Sequence, residues 1–199
     1  TPALGAIEAT NPCGEQPLLP YESCTLGSIN LAAFVAEGGV DWERLGGAIR
    51  DSVVFLDNVI EANCYPFPEI EACTRRTRKI GLGVMGLAEL LARLGIAYDS
   101  DEGLALGGRI AKFLTDGARA ASAELGEKRG SFPALYGSIW PEQGFATLRN
   151  ASVTCVAPTG TISLLAGTSG GIEPFFALAV VRRLLDGRLL EELNPTIVA

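Results

Sequence analysis

Asn11, Cys13 and Glu15 place an amide, a thiol and a carboxylate at alternate positions of the run Asn11-Pro12-Cys13-Gly14-Glu15. In an extended segment side chains two apart share a face, so all three would point into one space. Pro12 and Gly14 forbid a helix and suit a tight loop tip. A second thiol, Cys24, follows within hairpin range, past Pro17, Pro20 and Tyr21. The chain contains no histidine. That removes the usual acid/base side chain and the commonest metal ligand, and leaves any chemistry to carboxylates and thiols. The plain structural alternative for the same residues is two buried, apolar-like thiols and a solvated acid in a proline-rich loop.

Two glycine-containing stretches raise the question of a nucleotide. Ala157-Pro158-Thr159-Gly160-Thr161-Ile162-Ser163 lies between apolar runs. Backbone N–H groups in such a turn, with the hydroxyls of Thr159 and Thr161, can bind phosphate oxygens without a lysine. An ordinary Pro-Thr-Gly turn is the alternative. Gly81-Leu82-Gly83-Val84-Met85-Gly86 matches G-x-G-x-x-G, with Asp99 downstream. A dinucleotide fingerprint needs a buried strand just before its first glycine, and Arg75-Arg76-Thr77-Arg78-Lys79 cannot be the interior of a parallel sheet. The glycines are therefore expected to permit close helix packing, and the basic run to be a solvated face. Cys64, Cys73 and Cys155 lack the close pairing or added histidines of a zinc site and read as structural. Glu173 in Gly-Ile-Glu-Pro reads as a structural first-turn carboxylate in preference to a site residue.

The elements that would position these groups alternate strand and helix, which makes an α/β layout. Residues 25–31 read as a short strand. Residues 41–62 read as a helix capped by Asp41, with Leu45, Ile49, Val53, Leu56 and Ile60 on one face. Residues 83–94 read as a second helix ended by Gly95, and residues 101–125 as a long amphipathic third. Pro141 is expected in the first turn of a short helix. Residues 152–157 and 161–165 read as β-rich runs broken by the Pro158-Thr159-Gly160 turn, and residues 175–181 as another buried strand.

The chain has 199 residues, 48% hydrophobic and 20% charged, which suits one globular domain with a sizeable core. A net charge of −7 argues against polymeric nucleic acid as a partner. No stretch reaches the roughly 18 apolar residues of a membrane span. Five cysteines is an odd number for a disulfide framework, so reduced thiols and a cytoplasmic location are expected.

Taken together, Asn11–Leu18, Tyr21-Glu22-Ser23-Cys24 and Leu26–Leu31 resemble the catalytic finger loop of ribonucleotide reductases. Arg78–Gly86, Ala157–Ser163 and Gly171–Pro174 follow in that family's order, so the resemblance runs from about Thr10 to Pro195. It implies a ten-stranded α/β barrel with the finger loop in its centre, of which residues 1–199 form part. The family's N-terminal barrel half and C-terminal tail would lie outside this stretch. The resemblance assigns Cys13 as the thiyl radical that removes hydrogen from C3′ of the ribose, and Glu15 as acceptor of the 3′-hydroxyl proton. It makes Asn11 the group holding ribose and carboxylate, and Cys24 one half of the dithiol that supplies two electrons. Substrate phosphates would lie over Pro158, Thr159, Gly160, Thr161 and Ile162, beside the sugar held by Asn11, Cys13 and Glu15.

Pro12, Gly14 and the short span to Cys24 resemble the adenosylcobalamin-dependent class II enzymes. The implied partners are a ribonucleoside di- or triphosphate, the missing barrel half with the second cysteine of the redox pair, and an external dithiol such as thioredoxin; a homodimer is compatible. On this reading the chain is a fragment of a longer polypeptide or one half of a split enzyme, and does not turn over alone. The alternative is a non-catalytic nucleotide-binding or assembly module of the same fold.

Overall fold

The computed structural model describes residues 2–175, 177 and 179–193. A small hairpin opens it: β1 (Ala9–Thr10) pairs antiparallel with β2 (Pro17–Leu18). The centre is a parallel pair, β3 (Thr25–Asn30) and β6 (Ile80–Met85), in register from Thr25 opposite Ile80 to Asn30 opposite Met85. Residues 152–155 run along the other side of β6. Leu82 bridges Thr154 in parallel, with Leu82 N donating to Val153 O at 2.8 Å and Cys155 N to Leu82 O at 3.1 Å. Between the two central strands come the minor hairpin β4 (Val35–Ala36) and β5 (Gly39–Val40), then α1 (Trp42–Ala62) and α2 (Pro68–Thr77). After β6 follow α3 (Leu87–Arg93), α4 (Asp101–Arg129), α5 (Gly160–Ala166) and the antiparallel hairpin β7 (Ala179–Arg183) and β8 (Leu189–Leu193).

Helix α1 forms where its apolar spacing predicts. Asp41 caps it, its side chain accepting from Arg44 N at 3.0 Å, and Leu45, Ile49, Val53, Leu56 and Ile60 are buried. Helix α4 has the complementary ends expected of a long helix: Ser100 as cap, Asp101 and Glu102 in the first turn, Lys128 and Arg129 in the last. It lies on α1, with Gly117 against Ile49 and Phe113 edge-on to Trp42 at 5.0 Å. Leu56 of α1 in turn packs on Gly27 of β3, so one face of the parallel pair is covered by helix. Their core joins Ile29, Ile80, Leu82 and Val84 of the strands to the buried stripes of both helices.

Several expectations are corrected. Residues 80–85 are a strand buried at every position, and the helix starts only at Leu87. A strand covered on both faces reads as a continuous apolar run, and its glycines mimicked a helix entry. Residues 161–165 are helical, because Gly167 in the left-handed region caps a seven-residue α5 against the β-propensity of Thr161 and Ile162. Pro141 lies among turns, not in a helix. Residues 75–79 are not a solvated face. Arg78 is buried on Asp57 of α1, with Nη2 at 2.7 Å and Nε at 3.1 Å from Oδ1. Of the strand expected over residues 175–181, Ala179–Val181 belong to β7, while Phe176 and Leu178 lie outside the described residues.

Candidate active site

The Asn11–Glu15 stretch is the tip of the first hairpin and folds as a turn, not as an extended face. Asn11 N donates to Gln16 O at 3.2 Å and Gly14 N to Asn11 O at 3.0 Å, with Gly14 at φ 80°. The Asn11 carboxamide oxygen accepts from Gln16 N at 3.0 Å. Asn11 therefore closes the turn with both backbone and side chain. Cys13 is exposed at the tip. Glu15 is half-buried, with Oε2 shut off from solvent and without a hydrogen-bond partner. A buried oxygen of that kind is costly unless something donates to it.

Cys24 enters β3 on the same side as Leu26, half-buried. Burial pushes its thiol up to about 12, with Cys155, Glu22 and Glu15 adding to the rise against the opposing effect of Lys79. It is thus held as a neutral thiol, the form that can give up hydrogen. Leu26 of β3, Cys155 and Gln16 at the end of the turn meet over Gly81 of β6. The position a Gly81 side chain would occupy is 2.5 Å from Leu26 Cδ2 and 2.8 Å from both Cys155 Sγ and Gln16 Nε2. Gly81 lets the loop settle on the sheet, which corrects the expectation of helix packing.

Glu22 and Lys79 anchor the loop, and neither was singled out for this from sequence. Buried Glu22 takes Leu19 N on Oε2 at 2.8 Å and Thr77 Oγ1 on Oε1 at 2.5 Å. Lys79 Nζ reaches Glu22 Oε2 at 2.7 Å and the carbonyl of Pro17 at 2.9 Å. The signal available in sequence was an acid inside the Tyr-Glu-Ser-Cys run with a lysine before a buried strand.

The Pro158–Ile162 segment starts three residues after Cys155, beyond the C-terminal end of the parallel strands, where open α/β sheets take ligands. Thr159 is buried in the left-handed region at φ 55°, a strained setting for a β-branched residue. Its hydroxyl accepts from Gly171 N at 2.7 Å, tying the turn to the Gly170–Gly171 loop. Gly160, Thr161 and Ile162 are exposed, and the space beside Gly160 is open. The same end is braced by buried Glu89, which accepts from Ser169 N at 2.8 Å and Ser169 Oγ at 2.6 Å. Glu173 is exposed beside this loop.

Among the described residues no group of three or more His, Cys, Asp or Glu side chains could hold a metal ion, and no helix is long and apolar enough to cross a membrane. All five cysteines are free thiols.

A family model described as "Ribonucleotide reductase, barrel domain" matches residues 1–199. A vitamin B12-dependent ribonucleoside-diphosphate reductase of Mycobacterium tuberculosis (strain CDC 1551 / Oshkosh) is 58% identical over 194 residues, covering 98% of this chain and 28% of the relative. One of the same description from Thermoplasma acidophilum is 53% identical over 193 residues, covering 96% and 25%. A ribonucleoside-diphosphate reductase large subunit of African swine fever virus is 32% identical over 224 residues, covering 92% and 29%. The chain spans about a quarter of the length of the curated relatives it matches.

Proposed function

This chain belongs to the ribonucleotide reductase family, and from that premise we propose that it carries the thiol-bearing finger loop of a vitamin B12-dependent ribonucleoside-diphosphate reductase. In this reading residues 1–199 are part of a ten-stranded α/β barrel, the hairpin tip is its central loop, and the remaining strands come from the rest of the catalytic polypeptide. The substrate is a ribonucleoside diphosphate, the class printed in the relatives' names.

The observation that carries the reading is the turn itself: an exposed thiol two residues from a carboxylate whose buried oxygen lacks a donor. As a thiyl radical, Cys13 takes the hydrogen from C3′ of the ribose and becomes a thiol. The Glu15 carboxylate accepts the proton of the 3′-hydroxyl, a donor for its orphaned oxygen, while the 2′-hydroxyl takes a proton from the dithiol and leaves as water. Once the dithiol has delivered its electrons, the Cys13 thiol returns its hydrogen to C3′ and is a thiyl radical again. The Asn11 NH2 end holds the ribose over the turn. Cys24, kept protonated, is one thiol of the pair that delivers two electrons and ends as a disulfide, its partner cysteine coming from the rest of the polypeptide; an external dithiol of the thioredoxin kind restores it. Phosphates lie at Pro158–Ile162, where exposed backbone groups of Gly160 and Thr161 face open space.

Adenosylcobalamin, when bound, supplies the initiating radical. Exposed Cys13 is the group that would meet that radical. Two clefts, of about 670 Å³ and 370 Å³, are lined by residues of β3–β6, α1, α3 and α4. Replacing Glu15 by Gln in the reductase polypeptide tests the reading. The variant should bind nucleotide normally and still exchange hydrogen at C3′, but stall before the 2′-hydroxyl leaves, because an amide cannot accept the proton. Deoxyribonucleotide formation at the wild-type rate would contradict the role of Glu15.

A further inference from the structure

Glu89 is an acid in the otherwise apolar run Leu87-Ala88-Glu89-Leu90-Leu91, and in the first turn of α3 it is only 2% exposed. Both of its oxygens are spent on one residue: Oε1 accepts from Ser169 N at 2.8 Å and Oε2 from Ser169 Oγ at 2.6 Å. Ser169 is held from its other side as well, its carbonyl accepting from Gly86 N at 2.9 Å. Gly86, at φ 76°, leaves the room this needs, since a Cβ there would run into Thr168 Oγ1 and Asn30 Oδ1. From Ser169 the chain folds back over the Pro158–Ile162 segment. Thr168 N donates to Ser163 O at 2.9 Å and Gly171 N to Thr159 Oγ1 at 2.7 Å. A Cβ on Gly170 would lie 2.7 Å from Pro158 O, and one on Gly171 2.8 Å from Ala157 O, so the glycine pair rests directly on that backbone.

We propose that Glu89 is a positioning residue for the phosphate-binding turn: by gripping Ser169 through both its N–H and its hydroxyl, the carboxylate fixes the loop over residues 168–171, and that loop fixes Thr159 and the backbone that follows it. The inference rests on the reductase reading, which puts the substrate's diphosphate at Pro158–Ile162. Thr159 sits at φ 55°, a conformation that costs a β-branched residue on the order of 1–3 kcal/mol and persists only where its surroundings impose it. The Gly171 N–H on its hydroxyl and the Gly170–Gly171 backbone packed on Ala157 and Pro158 are those surroundings. A buried carboxylate is costly unless it is hydrogen-bonded, so Glu89 and Ser169 hold each other firmly. Without that grip the loop can shift, and the N–H groups of Gly160 and Thr161 lose their alignment on phosphate oxygens, to which hydrogen bonds are sensitive. Glu89 touches no substrate on this account, and the ribose is held elsewhere, by the Asn11–Glu15 turn. Its loss therefore falls on the phosphates.

The test uses the full reductase polypeptide and two probes, a ribonucleoside diphosphate and the matching ribonucleoside, whose dissociation constants from equilibrium titration give the preference for the diphosphate. Glu89→Leu keeps the size and loses both acceptors. It should cut that preference about tenfold while ribonucleoside binding stays within about twofold. A variant that merely loosened the fold would weaken both ligands alike. In Glu89→Gln the amide oxygen can still take Ser169 N and the NH2 can donate to Ser169 Oγ, so the preference should stay within about threefold of wild type. An unchanged preference in Glu89→Leu, equal losses for the two ligands, or a Gln variant as poor as the Leu variant would overturn the proposal. If Glu89→Leu does not fold, Ser169→Ala decides: it loses one of the two bonds, the preference should fall about threefold, and an unchanged preference would overturn the proposal. A wild-type polypeptide that binds the diphosphate no better than the ribonucleoside would sink the phosphate reading and this inference with it. A wild-type preference that Glu89→Leu retains would sink this inference alone.

Discussion

As the proposed hydrogen donor Cys24 must stay protonated, and burial with the neighbouring Cys155, Glu22 and Glu15 groups raises its pKa in that direction. At pH 8 a thiol near 12 carries about a thousandfold less thiolate than an ordinary one near 9. Cys24 should therefore resist iodoacetamide at pH 8 while exposed Cys13 reacts, and should alkylate readily only as pH rises towards 12. Peptide mapping by mass spectrometry reads both rates, and equal modification at pH 8 would contradict the account. At this scale Cys13, Glu15 and Cys24 stand out in the sequence because they crowd into a few residues that composition alone does not require. Cys155, Gln16 and Glu22 do not. Their contacts are made with residues distant in sequence, such as Thr77 and Lys79 for Glu22 and Gly81 for Cys155, and a cysteine in an apolar run gives the same signal whatever it packs against. The turn geometry also escaped alternation. Three side chains two apart share a face only if the backbone is extended, and Gly14 bends it.

The elements beneath the site are joined by one buried carboxylate. Asp57 on α1 accepts from Arg78 just past α2, from Arg129 at the end of α4 at 3.2 Å, from Arg149 at 3.3 Å and from Asn150 at 3.1 Å. Burial raises its pKa, but the Arg78 hydrogen bond and charge, with Arg149 and Asn150, outweigh burial and hold it below the ordinary 3.8. A depressed carboxyl stabilises the fold fully above its unfolded-state value, and the contribution fades as pH falls from there through the lower folded value. The urea midpoint should accordingly drop as pH is lowered below about 4, and the drop should be smaller in Asp57→Ala. That variant should itself lose about 3 kcal/mol at pH 7 by leaving buried Arg78 with only the half-exposed Glu61 as its ionic partner. A wild-type midpoint flat between pH 4 and 2 would contradict the role given to Asp57. Helices α1 and α4 were legible from period and caps. Strand β6 and helix α5 were not, because glycines in a doubly covered strand and caps on a seven-residue helix overrule local propensity.

At the scale of the whole molecule, β3 pairs on one side only among the described residues, with β6. Beside it a groove of about 370 Å³ is lined by Leu26, Gly27, Ser28, Asp51, Ser52 and Phe55, and Phe55 is 66% exposed. An exposed strand edge next to apolar surface is a place for another strand, which supports the reading that the barrel is completed by further chain. The α/β class followed from alternating elements. The central claim concerns the sulfur at the hairpin tip and is best tested in the complete polypeptide. Cys13→Ser keeps the turn, its size and its polarity, and replaces an S–H bond by an O–H bond too strong to carry the radical. Supplied with coenzyme, dithiol and a ribonucleoside diphosphate, the variant should bind nucleotide within about threefold of wild type and form no deoxyribonucleotide. Product formation above background would contradict the account.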